Sequence, residues 1–187
     1  MIRRLTVVPV LVLLAAGCGY NTMQSFDEQV SSAESQIKVQ LQRRADLIPN
    51  LVETVRGFAR QESTIFVAVA DARSRLAGAV QGGSLREMAD ANAALTAPLG
   101  RLLAIAEAYP QLKSNENFRA LQDQLEGTEN RVAVARQDYN EAVNRLNAYI
   151  RRFPQVITAK IIGMKPREYF ELRDPAAEQA PAVDFSR

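Results

Sequence analysis

The sequence predicts an all-α protein: an antiparallel four-helix bundle with an N-terminal signal and lipid-anchor segment and a disordered C-terminal tail. Three observations lead there. Apolar residues recur in steps of three and four along most of the 187-residue chain, the period of an amphipathic helix. The composition is 47% apolar and only 6% aromatic, dominated by Ala, Leu, Val, Gln, Arg and Glu, a mix that favours helix and can fill a core. The links between periodic stretches are short and marked by Pro or Gly, with no strand–helix alternation.

The chain opens on a short basic stretch, Met1 to Arg4, followed by an apolar run from Leu5 to Leu14 and the small residues Ala15-Ala16-Gly17. This is the layout of a secretory signal. The uncharged stretch to Gly19 is 15 residues, short of the roughly 20 that a spanning helix needs. The sequence AAGC (15–18) resembles the bacterial lipobox, with Ala15 where that signal usually has Leu. The resemblance implies cleavage before Cys18 and acylation, including a diacylglyceryl group on its thiol. Cys18, the single cysteine, is then a membrane attachment point, and the domain lies outside the cytoplasm. Gly19 in place of Asp directs such a lipoprotein to the outer membrane in a two-membrane bacterium. The expected division is 1–17 signal peptide, 18–23 linker, 24–171 helical bundle and 172–187 tail.

The first predicted helix, about Thr22 to Asp46, carries its apolar line on residues 26, 30, 33, 37, 41 and 45. Pro49 predicts a turn or sharp kink around Asp46-Leu47-Ile48-Pro49, because its ring clashes with the carbonyl of Ala45. A second helix, Pro49 to Ala79, places Leu51, Val55, Phe58, Glu62, Ile65, Val69, Ala72 and Leu76 on a near-heptad seam. Gly78, Gly82 and Gly83 end it. Ser84-Leu85-Arg86-Glu87 reads as a capping box for a third helix, bent at Pro98 and closed by Tyr109-Pro110. Ser114 or Asn115 caps the longest helix, to about Arg152, with a seam from Phe118 through Tyr139 to Phe153. Residues 155–164 read as a strap or one helical turn. Asp174 to Arg187, with Pro175 and Pro181, reads as disordered.

Several function classes are excluded or disfavoured. The 23 Lys+Arg include Arg3 and Arg4; without these two, 21 cations balance 21 acids, so the mature chain has no basic field for nucleic acid. With no histidine and one cysteine, the usual general base and a tetrahedral Cys/His zinc site are absent. No cofactor and no small-molecule substrate is indicated.

RRADLIPNLVETVRGFARQE (43–62), LQDQLEGTENRVAVARQDYNEAVNRLN (121–147) and FPQVITAKIIGMKPREYFE (153–171) resemble the three signatures of the LemA family, and Tyr20-Asn21 is similar to its entry just past the membrane. The resemblance implies a membrane-anchored helical bundle with no generally established biochemical activity. It also implies a partner-binding role, since members occur alongside membrane proteases and other envelope proteins. Members usually keep a longer transmembrane helix, where this chain has the lipobox-like AAGC. Many carry His-Glu where this sequence has Gln61-Glu62, so a mechanism requiring that histidine could not operate here.

Glu62, Arg73, Glu129, Arg136, Asn140 and Asn147 match charged or amide positions of those signatures. They are expected to pair between helices as a structural polar seam rather than to form a carboxylate site. Tyr139 and Phe153 are expected in the core. Arg43, Arg44 and Asp46 form a candidate partner-docking surface or a turn-end salt-bridge cluster. The leading functional expectation is a lipid-anchored, non-catalytic adaptor of the cell envelope that binds a protein partner. The alternative is a structural, lipid-interacting protein lying on the bilayer, and a carboxylate-only hydrolase is third.

Overall fold

The computed structural model describes the backbone of residues 7–170, and side chains from Gly19 onward. The basic N-terminus, the Cys18 side chain and the expected tail at 172–187 lie outside the described residues. Those residues hold six helices and no strand: α1 (Val7–Arg56), α2 (Ser63–Gly82), α3 (Leu85–Ala108), α4 (Pro110–Lys113), α5 (Glu116–Ile150) and α6 (Gln155–Ile162).

The expected turn at Asp46–Pro49 does not form; α1 continues through Pro49 to Arg56. Pro49 lacks an N–H, so the carbonyl of Ala45 loses its donor within the helix. Arg73 of α2 replaces it, its Nε donating to Ala45 O at 3.2 Å. The helix breaks instead at Gly57, where Phe58 N bonds back only three residues to Val55 O. The sequence signal for this break was Gly57 followed by the polar run Gln61–Thr64. When the chain re-enters helix at Ser63, Phe66 takes the buried position expected of Ile65.

The helices contribute to two compact units, residues 7–37 with 133–169, and residues 38–132 with 170. In the first, Met23, Val30 and Ile37 of α1 and Ala135, Val143, Leu146 and Ile150 of α5 are buried. The segment after α6 is stitched to α5. Asn147 donates to Arg167 O at 2.8 Å and accepts from Arg167 N at 2.9 Å, and Tyr139 Oη donates to Glu168 O at 2.9 Å. Burial, with Glu34 adding to it, pushes the Tyr139 phenol upward. The residues expected as a strap form the two-turn helix α6, stopped by Gly163 in the left-handed region at φ 71°.

In the second unit, Leu41, Ile48, Leu51 and Val55 of α1 are buried, as are Val69 and Leu76 of α2. Met88, Leu95 and Leu102 of α3 and Phe118, Leu125 and Val132 of α5 are buried as well. The capping box is present: Ser84 Oγ accepts from Glu87 N, and Glu87 Oε2 accepts from Ser84 N at 2.6 Å. Gly83 fits this corner because a Cβ there would meet Ala79 O at 2.7 Å. Asn115 Oδ1 caps α5 through Phe118 N at 3.0 Å.

Ser84→Ala removes the acceptor for one orphan N–H, and thermal or urea unfolding should show a loss of about 1 kcal/mol. The Ser84 amide holds the Glu87 carboxyl below its usual range. Its contribution is therefore present above the ordinary carboxylate pKa and fades as pH falls through the depressed one. A melt series from pH 7 downward should show the wild-type advantage over Glu87→Ala shrinking.

Candidate functional site

Arg44 is 2% exposed. It follows Leu41 by three positions on the inward face of α1, so its side chain points into the second unit rather than to solvent. Its Nη1 donates to Asn92 Oδ1 of α3 at 2.7 Å, and its Nη2 lies 3.7 Å from Glu129 Oε2 of α5. Burial lowers the arginine's pKa, and Glu129 partly opposes that shift. Of the three residues expected to form a docking surface, Arg44 is thus a buried connector, while Arg43 and Asp46 are exposed. In the sequence, Asn92 is an amide between Met88 and Leu95 on the apolar line of α3, and nothing local points to Arg44.

The expected polar seam is placed differently from one continuous line. Glu62 is not inside a helix; it stands at the N-cap of α2 with no side-chain cap bond. Arg73 pairs with Asp46, 3.9 Å away, rather than with Glu62. Glu129 faces Arg44 in the second unit. Arg136 and Asn140 are half-buried in the first unit, where burial lowers the pKa of Arg136. Phe153, expected in the core, is 81% exposed. The α5 seam ends at Ile150, and Phe153 lies beyond that helix.

Arg43 and Asp46 border an open groove of about 470 Å³ on the second unit, lined also by Lys38, Val39, Leu47 and Val80. Val39 is 56% exposed there. A second groove, about 610 Å³, lies at the α1–α2 corner, where the Arg56 guanidinium sits 5.3 Å from the Phe66 ring centroid. Asp46 and Glu129 are 57% and 60% exposed, and each faces an arginine as an ion-pair partner. Among the described residues, no group of three or more His, Cys, Asp or Glu is placed to hold a metal ion. Among the same residues, no helix is long and apolar enough to cross a membrane.

The model of the LemA family matches residues 33–185, spanning both units. The chain belongs to the LemA family. Its similarity extends to Magnetosome protein MamQ 2 and Magnetosome protein MamQ 1 of Paramagnetospirillum magneticum, each 29% identical over 175 residues. Magnetosome protein MamQ of Magnetospirillum gryphiswaldense is 28% identical over 174 residues. The matches cover 81% of this chain and 64% of each relative, so the LemA-family chain spans just under two thirds of their length.

Proposed function

We propose that this LemA-family chain is a lipid-tethered, non-catalytic adaptor of the bacterial cell envelope, attached through Cys18 and holding a protein partner at the membrane. The observation that carries the reading is the groove bordered by Arg43 and Asp46. Its floor is apolar, at Val39, Leu47 and Val80, and its rim carries two cations and one carboxylate. Such a surface suits an amphipathic helix of a partner that brings an acidic side chain toward Lys38 and Arg43. Kinship with proteins named for the magnetosome supports a role tied to a cellular structure. The architecture read here is an antiparallel four-helix bundle of α1, α2, α3 and α5. Its support is Arg44 linking α1 to α3 and α5, and Arg73 linking α2 to α1. Tethering raises the local concentration of a membrane-bound partner, so a shallow groove suffices.

The test is crosslinking in cells at equal expression, with mass spectrometry of captured proteins and of the N-terminal peptide. The expected peptide begins at Cys18 and carries acyl mass. A Val39→Asp/Arg43→Glu chain should lose a partner that wild type captures. An unchanged partner set with intact helicity overturns the groove, and capture of nothing above background by wild type overturns the adaptor reading.

A further inference from the structure

Phe153 is the most exposed of a cluster of large apolar residues on the first unit. Ile161 is 76% exposed, Ile157 51% and Ile162 38%. The geometry of α6 explains the cluster. Ala159 is 4% exposed and anchors the helix inward. At about 100° per residue, positions 157 and 161 each fall about 160° from it, on the outer face. Large apolar side chains exposed together on one short segment point to an interaction surface.

The charge along this segment of the chain is of one sign, with Asp27 of α1 nearby but paired to Arg167. From Arg151 to Arg167 the sequence has five cations and no acid. Arg167 is held by Asp27 at 2.9 Å. Arg151, Arg152, Lys160 and Lys165 are exposed, and among the described residues they enter no ion pair. The cluster also has a fixed neighbour. Gly19 of α1 is buried against the start of α6, where a Cβ would lie 3.3 Å from Gln155 Cγ. Gly19 directly follows Cys18.

We propose that the outer face of α6, together with Phe153, inserts shallowly into the interfacial layer of an anionic phospholipid bilayer. Arg151, Arg152, Lys160 and Lys165 then contact headgroup phosphates. An eight-residue helix is about 12 Å long and cannot span a bilayer, but an apolar face rimmed by cations is the composition of a helix lying in its surface. Four cations around an apolar centre fit anionic lipid by charge. The same four would repel their counterparts if two copies paired through this face. The inference rests on the tether proposed above only in placing a bilayer beside α1.

The chain has no Trp, so one introduced indole reports without background. Ile161→Trp is compared with Val134→Trp, a control on α5 that is 58% exposed in the native chain. Each full-length protein is bound to vesicles of phosphatidylglycerol and phosphatidylethanolamine, or of phosphatidylcholine alone, with brominated acyl chains as quencher. Ile161→Trp emission should shift to the blue and be quenched several-fold in the phosphatidylglycerol vesicles, and much less in phosphatidylcholine. Val134→Trp should change in neither. Adding Ile157→Glu to the reporter chain, at unchanged helicity by circular dichroism, should abolish the quenching. Reporter behaviour equal to the control on vesicle-bound protein overturns the proposal, as does equal quenching in both lipids. A blue shift without vesicles that grows with protein concentration overturns it in favour of a second copy. The acyl mass on Cys18, read from the same samples, reports the tether separately, so failure of either reading leaves the other standing.

Discussion

Asn92→Leu is expected to destabilise the fold by about 3 kcal/mol, although it replaces a polar residue in the core with an apolar one. The reason is what it leaves behind. Arg44 is buried, and its best hydrogen bond is the 2.7 Å contact to Asn92 Oδ1. Its Nε is already without a hydrogen-bond partner among the described residues. Glu129 cannot make up the loss, because it is 60% exposed, 3.7 Å away and screened by solvent. The expectation for Arg44→Met is the opposite in kind. It removes a cation whose charged form burial already disfavours and leaves behind only the neutral Asn92 amide, so the cost should stay within about 2 kcal/mol. In the Arg44→Met background, Asn92→Leu should become nearly harmless, giving a coupling of about 3 kcal/mol. Urea unfolding of the four chains measures this. A neutral Asn92→Leu in the wild-type background would show that the amide does not carry the buried cation.

Pro49→Ala is expected to stabilise the protein by about 2 kcal/mol. A proline in a helix interior costs about 3 kcal/mol, of which about 1 is returned by the stiffer unfolded chain. In a protein of this size that gain should raise Tm by roughly 4–8 °C. Arg73→Met, by contrast, should cost about 2 kcal/mol. It leaves the carbonyl of Ala45, a residue 0% exposed, without a donor. The Arg73–Asp46 pair adds little, at 3.9 Å with both side chains partly in solvent. The two changes are linked through one atom. In Pro49→Ala the new N–H bonds Ala45 O, and Arg73→Met should then cost less than half as much. If Arg73→Met costs the same in both backgrounds, the arginine is not what lets α1 continue past Pro49.

Much was readable from residue type and spacing. The all-helical class follows from the period of the apolar residues, because a 3.6-residue repeat buries one face of a helix and no face of a strand. The capping box at Ser84 and Glu87 and the α5 cap, narrowed to Ser114 or Asn115 and formed by Asn115, are local signals, set by backbone groups within a few residues of the side chain that satisfies them; Gly82 and Gly83 do end α2, while Gly78 lies inside it. LemA membership was visible in residues 43–62, 121–147 and 153–171 because those stretches carry the signatures directly.

What only the tertiary structure decided concerns groups whose partners are distant in sequence. Pro49 should break a helix in isolation. It does not: α1 continues, and Arg73, 24 residues on, donates to the carbonyl that the proline leaves without its helical partner. Arg44 and Arg43 are adjacent and alike in sequence, yet one is buried on Asn92, 48 residues away, and the other is exposed. Phe153 continued an apolar line, but the helix that carries the line ends at Ile150, and the chain leaves Phe153 in solvent, as it does Ile157 and Ile161. Periodicity assigns a residue to a face of a helix. Whether that face has a neighbour, and whether a lost hydrogen bond finds another donor, depends on elements far along the chain that only the folded protein brings near.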